Sequence, residues 1–360
     1  MFGFSVFMNE EMTQETVNYI KEMAQSGFKG IFTSMHIPED DAACYRQRLT
    51  VLGEQAKKNH LDLMVDISGE ALTRAGFSFT KIDELLQLGV TGLRMDYAIS
   101  NQQIAQLSHQ LKVALNASTI SQKDIDELQT SGADFSNLEA WHNYYPRPET
   151  GLESEWFNEK NCWLKKAGFT VQAFVPGDSN FRGPLFSGLP TLEEHRGQHP
   201  LASTLALLAT KAVDLVYIGD GGLTPQTKEQ FEKFQNDNTI LLHLADIGSD
   251  YYEYVLGSHE NRRDEARDVV RSANARFQEI PLIKPQKTSP RVYGSVTVDN
   301  ENYQRYMGEI QICKKDLPAD EKVNVAGRII SKDLPLIQQI SADMKFYLER
   351  DDEDGKNQFR

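Results

Sequence analysis

Over the first 236 residues, short apolar, β-branched runs alternate with longer stretches whose apolar positions recur at helical spacing. The runs at 2–8, 30–35, 61–67, 92–96, 112–116, 134–139, 170–175 and 214–218 predict strands. Between them, 13–25, 40–59, 81–87, 102–110, 121–130, 155–167 and 225–235 predict helices. Val17, Ile20 and Met23 share one helical face, as do Ile82, Leu85 and Leu86. Thr13 and Ser121 stand where N-caps belong, and Gly27, Gly89, Gly132 and Gly168 where helices end. Repeated strand-then-helix units dictate parallel pairing through right-handed crossovers, in an open doubly wound sheet or a closed barrel. A dinucleotide-binding sheet wants G-x-G-x-x-G after its first strand, and here Asn9-Glu10-Glu11 follows. The unit count fits an α/β fold of the (β/α)8 TIM type.

The pattern changes near Asn236. Runs at 239–247, 251–256, 291–298, 308–312, 323–329 and 344–348 predict further strands, several alternating as antiparallel strands do. An arginine-rich stretch at 260–276, a linker bearing Pro281, Pro285 and Pro290, and an acidic tail at 351–354 separate and end them. The reading is a catalytic barrel at 1–236 and a smaller β-rich domain at 237–360. Formal charge is −14, and the barrel part, with 20 basic and 30 acidic residues, carries −10 of it. No Lys/Arg stripe offers a nucleic-acid footprint, so no nucleic-acid partner is expected. Cys44, Cys162 and Cys313 are odd in number and far apart, which gives neither a disulfide framework nor a Cys-x-x-Cys knuckle. No basic leader precedes Lys21, and the longest apolar stretch, 201–218, is broken by Lys211 and Asp214. Neither a signal peptide nor a membrane span is expected, which points to the cytoplasm.

Barrel active sites sit at the C-terminal ends of the strands. Polar residues crowd the expected ends: Ser34 and His36; Asp66; Asp96; Asn116; Glu139 with His142, Asn143 and Tyr144; Asp178 with Arg182; and Asp220, Gly221 and Gly222. Carboxylates converging from separate units permit acid/base or nucleophile chemistry. Asp66, Asp96 and Glu139 are the catalytic candidates, with Glu139 favoured as the acid. The competing reading of each is a helix cap or a structural ion pair, such as Asp96 with Arg94. Gly219-Asp220-Gly221-Gly222 opens into a helix where barrels commonly bind phosphate, with Arg182 and Arg147 as cationic donors. Trp141, Tyr144 and Tyr145 suit a sugar cleft as well as a core. No HxH, HExxH or GxSxG spacing occurs, so neither a metal or other cofactor nor a serine nucleophile is expected.

Several motifs together resemble the 6-phospho-N-acetylmuramidase family, glycoside hydrolase family 170, over essentially the full length. They are Gly3-Phe4-Ser5-Val6-Phe7, Gly30 through His36, Asp66-Ile67-Ser68 and Leu93-Arg94-Met95-Asp96-Tyr97. Most specific is His142-Asn143-Tyr144-Tyr145-Pro146-Arg147-Pro148 with Thr150-Gly151-Leu152. Phe174-Val175-Pro176-Gly177 and Arg182-Gly183-Pro184 continue it. In the second domain, 267–276 and Gly294 through Asn300 resemble that family's cyclophilin-like domain. One departure is Ala98, where the family pattern has glycine. The resemblance implies a barrel that hydrolyses the β-1,4 bond of a 6-phospho-N-acetylmuramic acid–N-acetylglucosamine disaccharide in peptidoglycan recycling. It leaves the second domain two roles, covering the barrel mouth or joining a homodimer. Rival readings are a sugar-phosphate lyase or aldolase, which lacks a convincing strand lysine, and a non-catalytic sugar-phosphate sensor.

Overall fold

The computed structural model describes residues 1–9, 11–35, 44–67, 72–73, 76–95, 99–274 and 280–351, in two compact units, Met1–Lys228 and Glu229–Arg360. In the first, eight parallel strands close into a barrel in chain order. They are β1 (Phe2–Ser5), β2 (Gly30–Ser34), β3 (Asp62–Ile67), β4 (Gly92–Met95), β5 (Lys112–Asn116), β6 (Leu138–Trp141), β7 (Thr170–Val175) and β8 (Leu215–Ile218). The helices between them are α1 (Gln14–Gln25), α2 (Tyr45–Lys58), α3 (Ile82–Leu88), α4 (Asn101–Ser108), α5 (Gln122–Thr130), α6 (Ser154–Lys166) and α7 (Pro200–Ala209). α8 (Pro225–Asp237) follows β8.

Local chemistry sets these boundaries. Thr13 accepts from the Thr16 amide to start α1, and Ser121 forms a capping box with Asp124 to start α5. Gly89 ends α3 at φ 104°, a conformation that costs glycine little. α7 carries no amphipathic stripe because it is buried nearly all round, so the apolar run at 201–218 is this helix followed by β8.

One predicted strand is displaced with consequences for the site. The run at 134–139 is a 3₁₀ turn at Phe135–Asn137, and β6 begins only at Leu138. Asp134 accepts from the Ser136 amide and hydroxyl, a local bond that favours the turn over a strand.

Inside the barrel, Phe32, Met64, Ala114, Trp141, Phe174, Leu215 and Tyr217 pack into one cluster. Tyr217 occupies space that β1 and β2 leave open: a Cβ on Gly3 would stand 2.2 Å from its ring, and one on Gly30 2.1 Å from its hydroxyl.

The second unit carries a mixed seven-stranded sheet in the order β10-β15-β9-β14-β12-β13-β11. Its members are β9 (Thr239–Asp246), β10 (Gly257–Glu260), β11 (Val269–Arg271), β12 (Ser295–Asp299), β13 (Ile310–Cys313), β14 (Val323–Ile329) and β15 (Lys345–Arg350). β15 runs parallel to β9, and the other pairings are antiparallel. The strand expected at 251–256 is instead a short helix, α9 (Tyr252–Val255), with Tyr252 and Val255 buried; α10 (Leu334–Ile337) completes the unit.

Gly3→Ala should overpack the barrel against Tyr217 and destabilise it by about 1–3 kcal/mol, read as an earlier urea unfolding transition. An unshifted midpoint would show that the ring does not fill that space.

Candidate active site

The centre of the mouth is built by register. Ser34 pairs with Asp66 and Asp66 with Arg94 across β2, β3 and β4, so the three side chains face inward at the strand ends. Asp66 is a double acceptor: Ser34 Oγ donates to Oδ2 at 2.9 Å and Arg94 Nη1 to Oδ1 at 2.7 Å. Arg94 Nη2 donates to Asn143 Oδ1, so one buried guanidinium ties β3 to the loop after β6. The fork geometry fits arginine and not lysine.

Next to this pair stands Tyr144, its ring edge-on to Phe32 and Phe174 at 6.2 and 5.1 Å. Burial pushes its hydroxyl above the usual tyrosine range; the nearby Arg182 and Arg94 pull it down and Asp66 pushes it up. Arg182 Nη1 donates to that hydroxyl at 2.8 Å, and its guanidinium lies 4.1 Å from the centre of the Phe7 ring. Among the described residues no carboxylate pairs with the Arg182 side chain. Phe7 is a site residue that the sequence reading missed; its place just after β1 was the available signal.

Supporting groups hold these in position. Asp220 is fully buried and accepts from the amides of Gly177 and Leu189, both at 2.9 Å, and of Arg182 at 3.3 Å. Burial pushes its carboxyl up while the three amides pull it down. It fixes the loop that presents Arg182. Glu193 accepts from the amides of Glu149 and Gly151 at 2.8 and 2.7 Å. Arg196 beside it holds its carboxyl down at about 2. That clamp on the loop after β6 was not foreseen from sequence either.

Other residues lie elsewhere. Glu139, expected at a strand end, is the second residue of β6, paired with Thr170 at the start of β7. It accepts from Trp141 Nε1 at 2.6 Å and faces Lys112, which is bonded to Asp62 at the start of β3. Burial raises its carboxyl, against Trp141 and Lys112. Glu139 thus belongs to the N-terminal floor of the barrel, away from Asp66. His142 points outward to α6, where its Nε2 and Asn161 Oδ1 lie 2.7 Å apart and its ring lies 4.7 Å from that of Phe157. Asn116 Oδ1 accepts from the Ser118 amide, and the Arg147 side chain is exposed. Asp178 caps α8, accepting from the Thr224 amide and the hydroxyls of Thr224 and Thr227. The anion at this helix N-terminus is therefore the protein's own carboxylate. The Gly221 amide donates to Asn180 O, and the Gly222 carbonyl accepts from the Ser179 amide, so the glycine loop is committed to the loop after β7. Asp96 and His36 lie outside the described residues. Among the described residues no three of His, Cys, Asp and Glu converge as a metal site requires, and no helix is long and apolar enough to cross a membrane.

Residues 2–233 match the family described as 6-phospho-N-acetylmuramidase, N-terminal, and 240–349 its C-terminal counterpart. A crystal structure of a conserved Enterococcus faecalis protein of unknown function is 52% identical, with a TM-score of 0.92 over 99% of this chain and 98% of that one. An uncharacterized B. cereus protein is 25% identical, with a TM-score of 0.72 over 96% and 98%. No curated protein matches. Fold, mouth and family matches together define a β/α-barrel glycosidase. More particularly, the chain belongs to the 6-phospho-N-acetylmuramidase family along both of its domains.

Arg94→Met should cost about 3–5 kcal/mol by stranding the Asp66 carboxylate, whereas Arg94→Met combined with Asp66→Leu should recover much of it; equal losses in denaturant titrations would contradict the pairing. Burial lowers His142 and His195 to about 4 in the folded chain, from an ordinary value near 6.5. The unfolded chain therefore takes up protons first, and stability that is complete above about pH 6.5 is lost as the pH falls toward 4. Each ring contributes on the order of 1 kcal/mol per pH unit in that window, and a melting temperature that stays level across it would refute this.

Proposed function

We propose that the barrel cleaves the glycosidic bond of a 6-phospho-N-acetylmuramic acid–N-acetylglucosamine disaccharide, with Asp66 and Asp96 as the reacting carboxylates. The observation that carries this reading is an arginine, Arg182, with no carboxylate partner among the described residues, one tyrosine away from the Asp66–Arg94 pair. In a barrel of net charge −10, a phosphorylated sugar needs such a local cation, because the overall field repels it. Arg182 takes the phosphate or the lactyl carboxylate, and Asn143, Tyr144 and Phe7 orient the sugar ring.

Hydrolysis by two carboxylates passes through an oxocarbenium-like transition state. Both oxygens of Asp66 already accept hydrogen bonds, which suits the member that attacks the anomeric carbon or takes a proton from water. Asp96, directly after β4, supplies the proton to the leaving oxygen. Ser34 and Arg94 hold Asp66 still as charge develops. Such a substrate arises where cell-wall sugars are phosphorylated on uptake, which places the enzyme in the cytoplasm and in peptidoglycan recycling. The second domain, cyclophilin-like by resemblance, takes no part in the chemistry.

The test is incubation with the phosphorylated and unphosphorylated disaccharides, measuring released N-acetylglucosamine. Only the phosphorylated one should be cleaved efficiently. Asp66→Asn and Asp96→Asn should each lower kcat by about 10²–10⁴-fold. Arg182→Ala should lower kcat/KM on the phosphorylated substrate roughly ten- to hundredfold, chiefly through KM. Equal cleavage of the two disaccharides, or full activity in both aspartate variants, would overturn the proposal.

A further inference from the structure

A cavity of about 580 Å³ lies beside the mouth, between the loop after β1, α1 and the loops after β7 and β8. That is within the size range of small-molecule sites. Phe7 connects the two places: its ring lies under the Arg182 guanidinium and also lines the cavity. The lining is rich in neutral hydrogen-bonding groups, among them Asn9, Asn18, Asn180 and Thr16. Tyr19 adds a buried hydroxyl that has no partner among the described residues. A buried hydroxyl without a partner is uncommon and wants a ligand or a water.

Charge decides what fits. Glu11, Glu15 and Glu22 line the cavity against one cation, Lys228, and that cation is bonded to Glu22 at 2.5 Å. A phosphorylated, carboxylate-bearing sugar is repelled there, while a neutral polyhydroxylated one meets donors and acceptors and an aromatic face. The disaccharide is divided in the same way, with both anionic groups on one sugar and none on the other. We propose that this cavity receives the uncharged N-acetylglucosamine, the leaving-group half of the substrate, while Arg182 holds the anionic half. The assignment rests on the proposed disaccharide as substrate.

Two substrates with the same phosphorylated sugar separate the roles: the disaccharide, and a 4-nitrophenyl glycoside of 6-phospho-N-acetylmuramic acid that has no second sugar. Asn18→Trp, on α1, and Asn9→Trp, on the loop, each fill the cavity from a different side. In either variant the kcat/KM ratio of disaccharide to aryl glycoside should fall about tenfold, mainly through KM for the disaccharide, with an unchanged melting temperature confirming a folded barrel. An unchanged ratio in both variants, whether both substrates slow equally or neither does, overturns the cavity assignment alone. Wild-type protein inactive on both substrates overturns the glycosidase substrate itself, and this assignment with it.

Discussion

The aromatic layer that fills the barrel is the constraint on which the rest depends. Phe32, Trp141, Phe174 and Tyr217 meet at 4.7–6.3 Å between ring centres, and Gly3 and Gly30 give Tyr217 its space. A barrel closed by eight strands leaves an interior that side chains must fill, and aromatic rings fill it with few polar atoms to satisfy. The layer divides the interior into two polar ends. Below it, Asp62, Lys112 and Glu139 compensate one another; above it, Ser34, Asp66 and Arg94 do so within reach of solvent. An acidic side chain's place above or below the rings determines whether it can meet a substrate.

That division also explains what could be seen in the sequence. Periodicity revealed the barrel because half-buried helices and buried strands leave different patterns, and capping residues such as Ser121 marked where helices begin. It failed where burial was complete, as in α7, and where a local Asp134–Ser136 bond diverted a strand-like run into a turn. The second failure moved Glu139 from the end of a strand to near its beginning, and so from the mouth to the floor. A shift of a few residues in one boundary altered one chemical role entirely.

The acidic residues around β7 and β8 show a different limit. Asp178 and Asp220 stand in sequence where substrate groups would, yet each is saturated by amides and hydroxyls of its own chain. Sequence shows a carboxylate's position along a strand; it does not show whether a neighbouring amide has already claimed it. Arg182 is the converse case, since it became informative only when no carboxylate among the described residues was found to pair with its side chain. Strand register sets Arg94 against Asp66, a pairing that the order of residues along the chain does not reveal.

The second unit places its first and last strands side by side. β9 and β15, some hundred residues apart, pair in parallel over six positions in the interior of the sheet, with β10 beyond one and β14 beyond the other. Such a pairing closes a long loop before it gains its contacts. During synthesis on the ribosome, β10 has no neighbour and β9 lacks one edge until the chain has emerged past Arg350. β9 and β10 must wait with a hydrogen-bonding edge exposed, so this unit is the part of the protein that a molecular chaperone would have most reason to hold.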